Sequence, residues 1–167
     1  MHFVLPTENN EKDVLDFYKE FEEKGECCIG FQFHNDYKKW LKQMTNRKEG
    51  KNLPEGYVKE NFYLCYEDNQ LVGVFSLKFE LTDYLLHYGG HIGYAVRPSR
   101  RNNGLATQIL KQGLTIAKDN HLKKVLAAVN EDNLASIQVI LKNNGKLENE
   151  LFDPYEHVVI KRFWFSL

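Results

Sequence analysis

Residues 90–107 of this 167-residue chain read GHIGYAVRPSRRNNGLAT, and this stretch decides the fold. Ile92, Tyr94 and Val96 alternate with smaller residues over one strand's length, and Pro98, which has no N–H to donate to a sheet, ends the strand. From Gly104 onward the apolar residues recur at helical spacing: Leu105, Ile109, Leu110, Leu114 and Ala117. The stretch therefore predicts a strand, a basic turn and the start of a helix.

The turn between the strand and the helix has the composition of an anion site. It contains Arg100, Arg101, Asn102, Asn103 and Gly104. A glycine lets the main chain approach a ligand closely, and the first N–H groups of a helix lack internal acceptors and favour negative charge. We expect a diphosphate to bind here, although an ordinary connection with a solvated basic turn is the alternative. The Gly-x-x-x-x-Gly-Lys-Ser/Thr and Gly-x-Gly-x-x-Gly nucleotide motifs do not occur.

Length and composition narrow the class of protein. A chain of 167 residues can form one domain, over 1–167, with its own hydrophobic core. Its net charge of -1, with acids and bases mixed along the chain, argues against a nucleic-acid partner. No apolar run approaches a membrane span, and Cys27, Cys28 and Cys65 have neither disulfide nor zinc spacing. We expect a cytoplasmic protein without a metal or a membrane partner.

The rest of the chain alternates predicted helices and strands. The other helices are predicted from Asn10 to about Glu23, after Asn35 into the polar segment 46–52, and from Asn133 to about Asn143. The other strands are predicted at 3–5, 62–66, 71–79, 124–129, 147–152 and 157–165. Residues 80–88 fit either a short helix or an irregular loop. Because a helix separates the fourth and fifth strands, these two should be parallel.

Two motifs together resemble one family. Residues 101–106, RNNGLA, are similar to the Arg/Gln-x-x-Gly-x-Gly/Ala loop that binds the acyl-CoA pyrophosphate in the GNAT acetyltransferase superfamily. Residues 129–136, VNEDNLAS, resemble the end of that family's next strand and the Asn-x-x-Ser start of its next helix. The resemblance covers residues 61–150 and is closest to a bacterial branch of "predicted acetyltransferases" with a Gly-Gly-His-Ile-Gly-Tyr signature, present here at 89–94.

The resemblance implies a fold, a co-substrate and a cofactor site. The fold would be α/β, with about four helices around a mixed, mostly antiparallel sheet of about six to seven strands. Strands 4 and 5 would form a parallel pair that splays apart at the cofactor site. Acetyl-CoA would be the co-substrate. The main chain of Ala95, Val96 and Arg97 would pair with the pantetheine arm. The pyrophosphate would bind the turn and the first helical residues, namely Arg101, Asn102, Asn103, Gly104, Leu105, Ala106 and Thr107.

Two polar residues near the predicted fourth helix are further candidates for cofactor contact. Asn133 suits an N-cap, which would explain it without a ligand, and the resemblance adds a contact with the pantetheine. Ser136 has the same two interpretations, as a cofactor contact or as an ordinary residue of the first helical turn.

Acyl transfer to an amine also requires that a proton be removed, since an ammonium group of the lysine type has a pKa of about 10.4. Glu80 and His91 are the candidate bases, with a solvated carboxylate and a packed imidazole as the respective alternatives. Tyr84, Tyr88 and Tyr94 are candidates for lining the acceptor pocket, although such aromatic residues more often belong to a core.

One departure from the family pattern affects the expected chemistry. The family often has an acid-donating Tyr seven residues after the position equivalent to Asn133, and this chain has Ile140 there. The first hypothesis is an N-acyltransferase that moves an acetyl group directly to a small-molecule or peptide amine. The second is a non-catalytic acyl-CoA sensor, and the third is an unrelated phosphate-binding domain. The acceptor and the oligomeric state, including a homodimer, stay open.

Overall fold

The computed structural model describes residues 1–31 and 36–167, in which helices and strands alternate. The strands are β1 (His2–Val4), β2 (Glu60–Glu67), β3 (Gln70–Lys78), β4 (Ile92–Val96), β5 (Lys124–Asn130), β6 (Lys146–Asp153) and β7 (Val158–Ser166). The α-helices are α1 (Glu11–Glu23), α2 (Tyr37–Glu49), α3 (Leu105–Asp119) and α4 (Leu134–Lys142). A π-helical segment, Leu85–Gly89, precedes β4, and short 3₁₀ turns lie at Glu8–Asn10 and Pro98–Arg100.

The strands form two antiparallel sheets, with the orders β1-β2-β3-β4 and β5-β7-β6. The sheets meet where the N–H of His91 donates to the carbonyl of Leu126 at 2.8 Å, beside an isolated antiparallel bridge between Gly90 and Ala127. The predicted parallel pairing of strands 4 and 5 is not found among residues 1–31 and 36–167. Gly90 has a φ of 70°, so the chain is not extended where it meets β5, and no ladder continues beyond this contact.

Two hydrophobic clusters cover the two faces of the first sheet. On one face, α3 packs Ile109 and Leu110 against residues that include Phe75. On the other face, α1 and α2 pack Phe17 and Trp40 against a cluster that includes Val74 of β3. Strand β3 is thus buried on both sides, and each fully buried side chain of this size stabilises the fold by about 1.5–3 kcal/mol relative to exposure.

Most predicted elements are confirmed, with small shifts at their ends. Helix α2 runs past Asn46 to Glu49, because Gly50 closes it in the left-handed conformation, with a φ of 69°. The predicted start of this helix after Asn35 is confirmed, because Asp36 is the N-cap and its carboxylate accepts from Lys39 N–H at 2.9 Å. The stretch 80–88, which fitted either a short helix or a loop, is helical at 83–84 and continues into the π-helical segment. At the start of that segment, Leu85 N–H donates to the Thr82 hydroxyl at 3.2 Å.

Candidate active site

The turn between β4 and α3 presents a row of free main-chain donors. The N–H groups from Asn102 to Thr107 have no acceptor in the described ranges 1–31 and 36–167, and the first bond of α3 runs from Gln108 N–H to the Gly104 carbonyl at 3.2 Å. Asn102 and Gly104 have φ values of 64° and 75°, so the main chain that carries these donors curves around the start of α3. Such donors at a helix N-terminus, where the dipole is positive, suit an anion.

The space in front of these donors is open. A Cβ atom built on Gly104 would meet no described atom within 4 Å, so the backbone there can be approached by a ligand. A diphosphate needs such a concave set of N–H groups with room for its oxygens. The turn therefore has both the donors and the room that an anion such as a diphosphate needs.

Strand β4 has no strand partner on one side in the described part of the chain, and there the Val96 carbonyl accepts from Arg101 Nε at 3.3 Å. Arg97 N–H donates to the Val72 carbonyl at 2.9 Å, and Lys78 N–H donates to the His91 carbonyl at 2.7 Å, so the odd-numbered residues of this strand pair with β3. The N–H and C=O groups of Tyr94 and Val96 must then point to the gap beside β5. Of the three residues expected to pair with pantetheine, only Val96 faces that gap, because the main chains of Ala95 and Arg97 face β3.

The side chain of Arg97 belongs to the fold rather than to the site. It is 4% exposed and donates to the Leu71 carbonyl at 2.8 Å and to the carboxylates of Asp16 and Glu20 on α1 at 3.0 and 2.8 Å. Ser99 N–H also donates to Glu20 at 3.0 Å. Burial alone would raise the pKa of Glu20, but the bonds from Ser99 and Arg97 outweigh it and lower that pKa. This network ties the start of the turn to α1.

Arg101 is held more loosely. Its guanidinium forms a two-pronged ion pair with Glu26, at 2.9 and 2.5 Å, and lies 5.4 Å from the centre of the Phe21 ring. Both charged side chains are more than a third exposed. Exposed ion pairs contribute only about 0–1 kcal/mol, so a ligand phosphate can replace Glu26 at little cost.

The other predicted cofactor residues lie at the start of α4. Asn133 is the N-cap, since its Oδ1 accepts from Ser136 N–H at 3.1 Å. The Tyr94 hydroxyl donates to the Ser136 carbonyl at 3.4 Å, and burial raises the pKa of that phenol. The edge of β4 and the start of α4 are therefore in contact, as the two sequence motifs predicted.

The two candidate bases are placed very differently. Leu126 N–H donates to Nδ1 of His91 at 3.0 Å, so this nitrogen carries no proton and its lone pair is engaged in joining the sheets. Burial, followed by the positive charges of Lys78 and Lys124, lowers the pKa of His91 to about 4. Glu80 is exposed. This geometry favours a structural role for His91, and within residues 1–31 and 36–167 no hydrogen bond or ion pair positions Glu80 as a base.

A cavity of about 510 Å³ opens beside β4 and contains residues that the sequence analysis did not single out. Its polar lining includes Arg47, Glu60, Ser76 and Lys78, and Tyr84 is the predicted pocket tyrosine that reaches it. Tyr88 contacts Tyr84 and His87 instead. Glu60 could have been found from the alternation of β2, since it lies two residues before the buried Phe62 and so shares its inward face.

Among the residues described here, no group of three or more His, Cys, Asp or Glu side chains could hold a metal ion. The same part of the chain contains no helix that is both long and apolar enough to cross a bilayer.

Comparison with known proteins identifies the family of this chain. The sequence profile of the acetyltransferase (GNAT) family matches residues 14–145. The chain belongs to the GNAT family. A search of curated proteins finds no match.

Solved structures share the GNAT fold at low sequence identity. The Salmonella typhimurium acetyltransferase that modifies the N-terminal serine of ribosomal protein L7/L12 has a TM-score of 0.74 and 16% identity, over 99% of this chain and 94% of that one. The Salmonella typhimurium protein yncA, solved with its cofactor acetyl-CoA, has a TM-score of 0.67 and 13% identity, over 99% of this chain and 93% of that one. A mutant of the Vibrio cholerae spermidine N-acetyltransferase SpeG has a TM-score of 0.67 and 12% identity, over 99% of this chain and 95% of that one.

Within this GNAT chain, Ile140 is 2% exposed and packs in the core that α3 shares with β3 and β4. An apolar side chain there cannot donate a proton. The Tyr94 phenol, on β4, contacts the first turn of α4 through the Ser136 carbonyl.

Replacement of His91 by Gln is expected to reduce the acid sensitivity of the fold. The folded-state pKa of about 4 lies below the ordinary value, so stability present above about pH 6.5 is lost as the pH falls toward 4. Urea unfolding at about pH 7.5 and 5 should show a smaller loss in His91→Gln than in the wild type. His2→Gln, on the exposed start of β1, should keep the wild-type loss. Equal losses in both variants would contradict this account.

Proposed function

We propose that this chain, as one domain over 1–167, is an acetyl-CoA-dependent N-acetyltransferase. The observation that carries the proposal is the row of six free N–H groups, Asn102 to Thr107, beside the free edge of β4 in a GNAT family member. Acyl-CoA binding by such a turn needs both donors and open space, and both are present at Gly104. The acetyl-CoA bound to yncA supports the choice of co-substrate.

The proposed roles divide the site between binding and orientation. The amides of 102–107 and the guanidinium of Arg101 hold the pyrophosphate, while the main chain of Tyr94 and Val96 holds the pantetheine arm. Asn133 and Ser136 border the same gap. The bound co-substrate supplies an acetyl group activated as a thioester. A main-chain N–H on the free edge of β4 can donate to the carbonyl oxygen as negative charge develops there.

Orientation is proposed to supply most of the rate. Holding an amine against the carbonyl carbon is worth about 7–11 kcal/mol, whereas a general acid or base typically contributes about 10²- to 10⁴-fold. The amine enters through the cavity beside Gly93, where Tyr84 lines the wall. An enzyme without a tyrosine at position 140 can therefore remain active.

A non-catalytic acyl-CoA sensor is the second candidate, and the buried Ile140 is the observation that favours it. Such a protein would bind CoA through the same turn without turning over an amine.

Calorimetry and a thiol-release assay separate these proposals. Acetyl-CoA and CoA should bind with one site per chain, and ATP should bind weakly or not at all. Thiol release above hydrolysis should then appear with at least one amine or peptide N-terminus between about pH 6 and 9, since the free amine fraction rises with pH. Binding without any turnover would favour the sensor. Tight ATP binding without CoA binding would overturn both.

A further inference from the structure

The cavity beside β4 contains a buried carboxylate flanked by two cations. Arg47 Nη1 lies 3.1 Å from Glu60 Oε2, and Lys78 Nζ lies 3.5 Å from Glu60 Oε1. The Glu60 side chain is 7% exposed, and those of Arg47 and Lys78 are 18% and 20% exposed. One cation would be enough to neutralise Glu60, so the deep part of the cavity carries an excess positive charge.

The two cations have hydrogen-bonding capacity to spare. Arg47 donates to Glu60 through Nη1 and stacks over the Tyr57 ring at 4.6 Å, while its remaining N–H groups have no acceptor in residues 1–31 and 36–167. Within the same residues, the one ion pair of Lys78 is its contact with Glu60 at 3.5 Å. The other acidic residue lining the cavity, Glu55, is exposed to solvent at the rim. Partly buried cations of this kind favour an anionic partner, because burial strengthens such contacts.

The cavity also reaches the reacting strand. Ser76 and Gly93 are paired across β3 and β4, and a Cβ atom at Gly93 would lie 3.3 Å from the Ser76 hydroxyl and 3.1 Å from Ile29. Gly93 lines the cavity, and any side chain at this position would crowd the part of the cavity next to β4. The volume of about 510 Å³ suits a molecule the size of an amino acid or a short peptide.

We infer that the acceptor is an amine that also carries a carboxylate, as a free amino acid does, and that Arg47 and Lys78 bind this carboxylate while the amino group points to β4 at Gly93. Glu60 fixes the orientation of both cations. This inference rests on the proposed N-acetyltransferase function. A polyamine, which is a cation without a carboxylate, fits this charge pattern poorly.

The test compares acceptors that differ only in the carboxylate. Free α-amino acids, each paired with its α-carboxamide, and spermidine are assayed by thiol release from acetyl-CoA. At least one amino acid should show a kcat/KM about tenfold or more above that of its amide, which corresponds to the hydrogen bonds of one charged group. Spermidine should be a poorer acceptor than that amino acid.

Variants assign the preference to the cavity. Arg47→Met should lower kcat/KM for the preferred amino acid about tenfold or more through KM and change the value for its amide less than about twofold, and Arg47→Lys should restore part of the loss. Lys48→Met, at an exposed position of α2, should behave like the wild type. Gly93→Val should block amine turnover and leave CoA binding unchanged.

The outcomes distinguish a failure of this inference from a failure of the proposed N-acetyltransferase function. If CoA binds but no amino acid exceeds its amide, including the case in which neither reacts, the inference is overturned. An equal effect of Arg47→Met on acid and amide would also overturn it. Absence of CoA binding would instead overturn the proposed function.

Discussion

Gly104→Trp is expected to lower the affinity for CoA by about 100-fold or more while the protein stays folded, because at least two charge-assisted hydrogen bonds would be lost. Gly104 has a φ of 75°, and no described atom lies within 4 Å of a Cβ built there. The indole would therefore occupy space in front of the amides without displacing the protein core. The left-handed conformation costs about 1–2 kcal/mol for a residue other than glycine. Calorimetry with CoA and urea unfolding measure the two effects separately.

Gly50→Trp is the matched control. Gly50 has a φ of 69°, and its nearest built contact, with Lys59, is at 3.9 Å, so it suffers the same backbone strain at the far end of α2. This variant should lose a similar amount of stability and bind CoA like the wild type. A Gly104→Trp protein that is folded and binds CoA with unchanged affinity would rule out the turn as the pyrophosphate site.

Arg97→Met is expected to lower the free energy of unfolding by about 3 kcal/mol, a value typical of a buried ion pair that loses one partner. The variant would leave the Leu71 carbonyl and the half-buried Glu20 without their guanidinium partner. Glu20 would keep only the Ser99 N–H, so the start of the turn would lose its hold on α1. Urea unfolding at neutral pH measures the change.

Arg101→Met provides the contrast, since the two arginines lie four residues apart. Its ion pair with Glu26 is exposed, so the loss of stability should be less than about 1 kcal/mol. Its affinity for CoA should fall, because one positive charge beside the pyrophosphate is removed. If Arg101→Met proves as destabilising as Arg97→Met, the division of the two residues into site and scaffold is wrong.

The turn and its neighbouring elements could be predicted from the sequence because their signals are local. The alternation in Ile92–Val96, the block at Pro98 and the helical period after Gly104 each act within a few residues, and the structure confirms all three. The Asn133 cap was predictable for the same reason, since its partner lies three residues away.

Features that depend on distant partners could not be predicted. No residue near Arg97 in the sequence indicates that its side chain binds Asp16 and Glu20, which precede it by about eighty residues. The direction of the β4 backbone groups depends on the register with β3, so the sequence could not distinguish Val96 from Ala95. The Arg47, Glu60 and Lys78 cluster joins three elements and has no local motif.

The most direct test of the central claim is an amide NMR titration with CoA. If these amides hold the pyrophosphate, the N–H resonances of Asn102 to Thr107 should shift together and saturate at one CoA per chain, with smaller changes at Tyr94 and Val96. Saturable binding that leaves the resonances of 102–107 in place would contradict it.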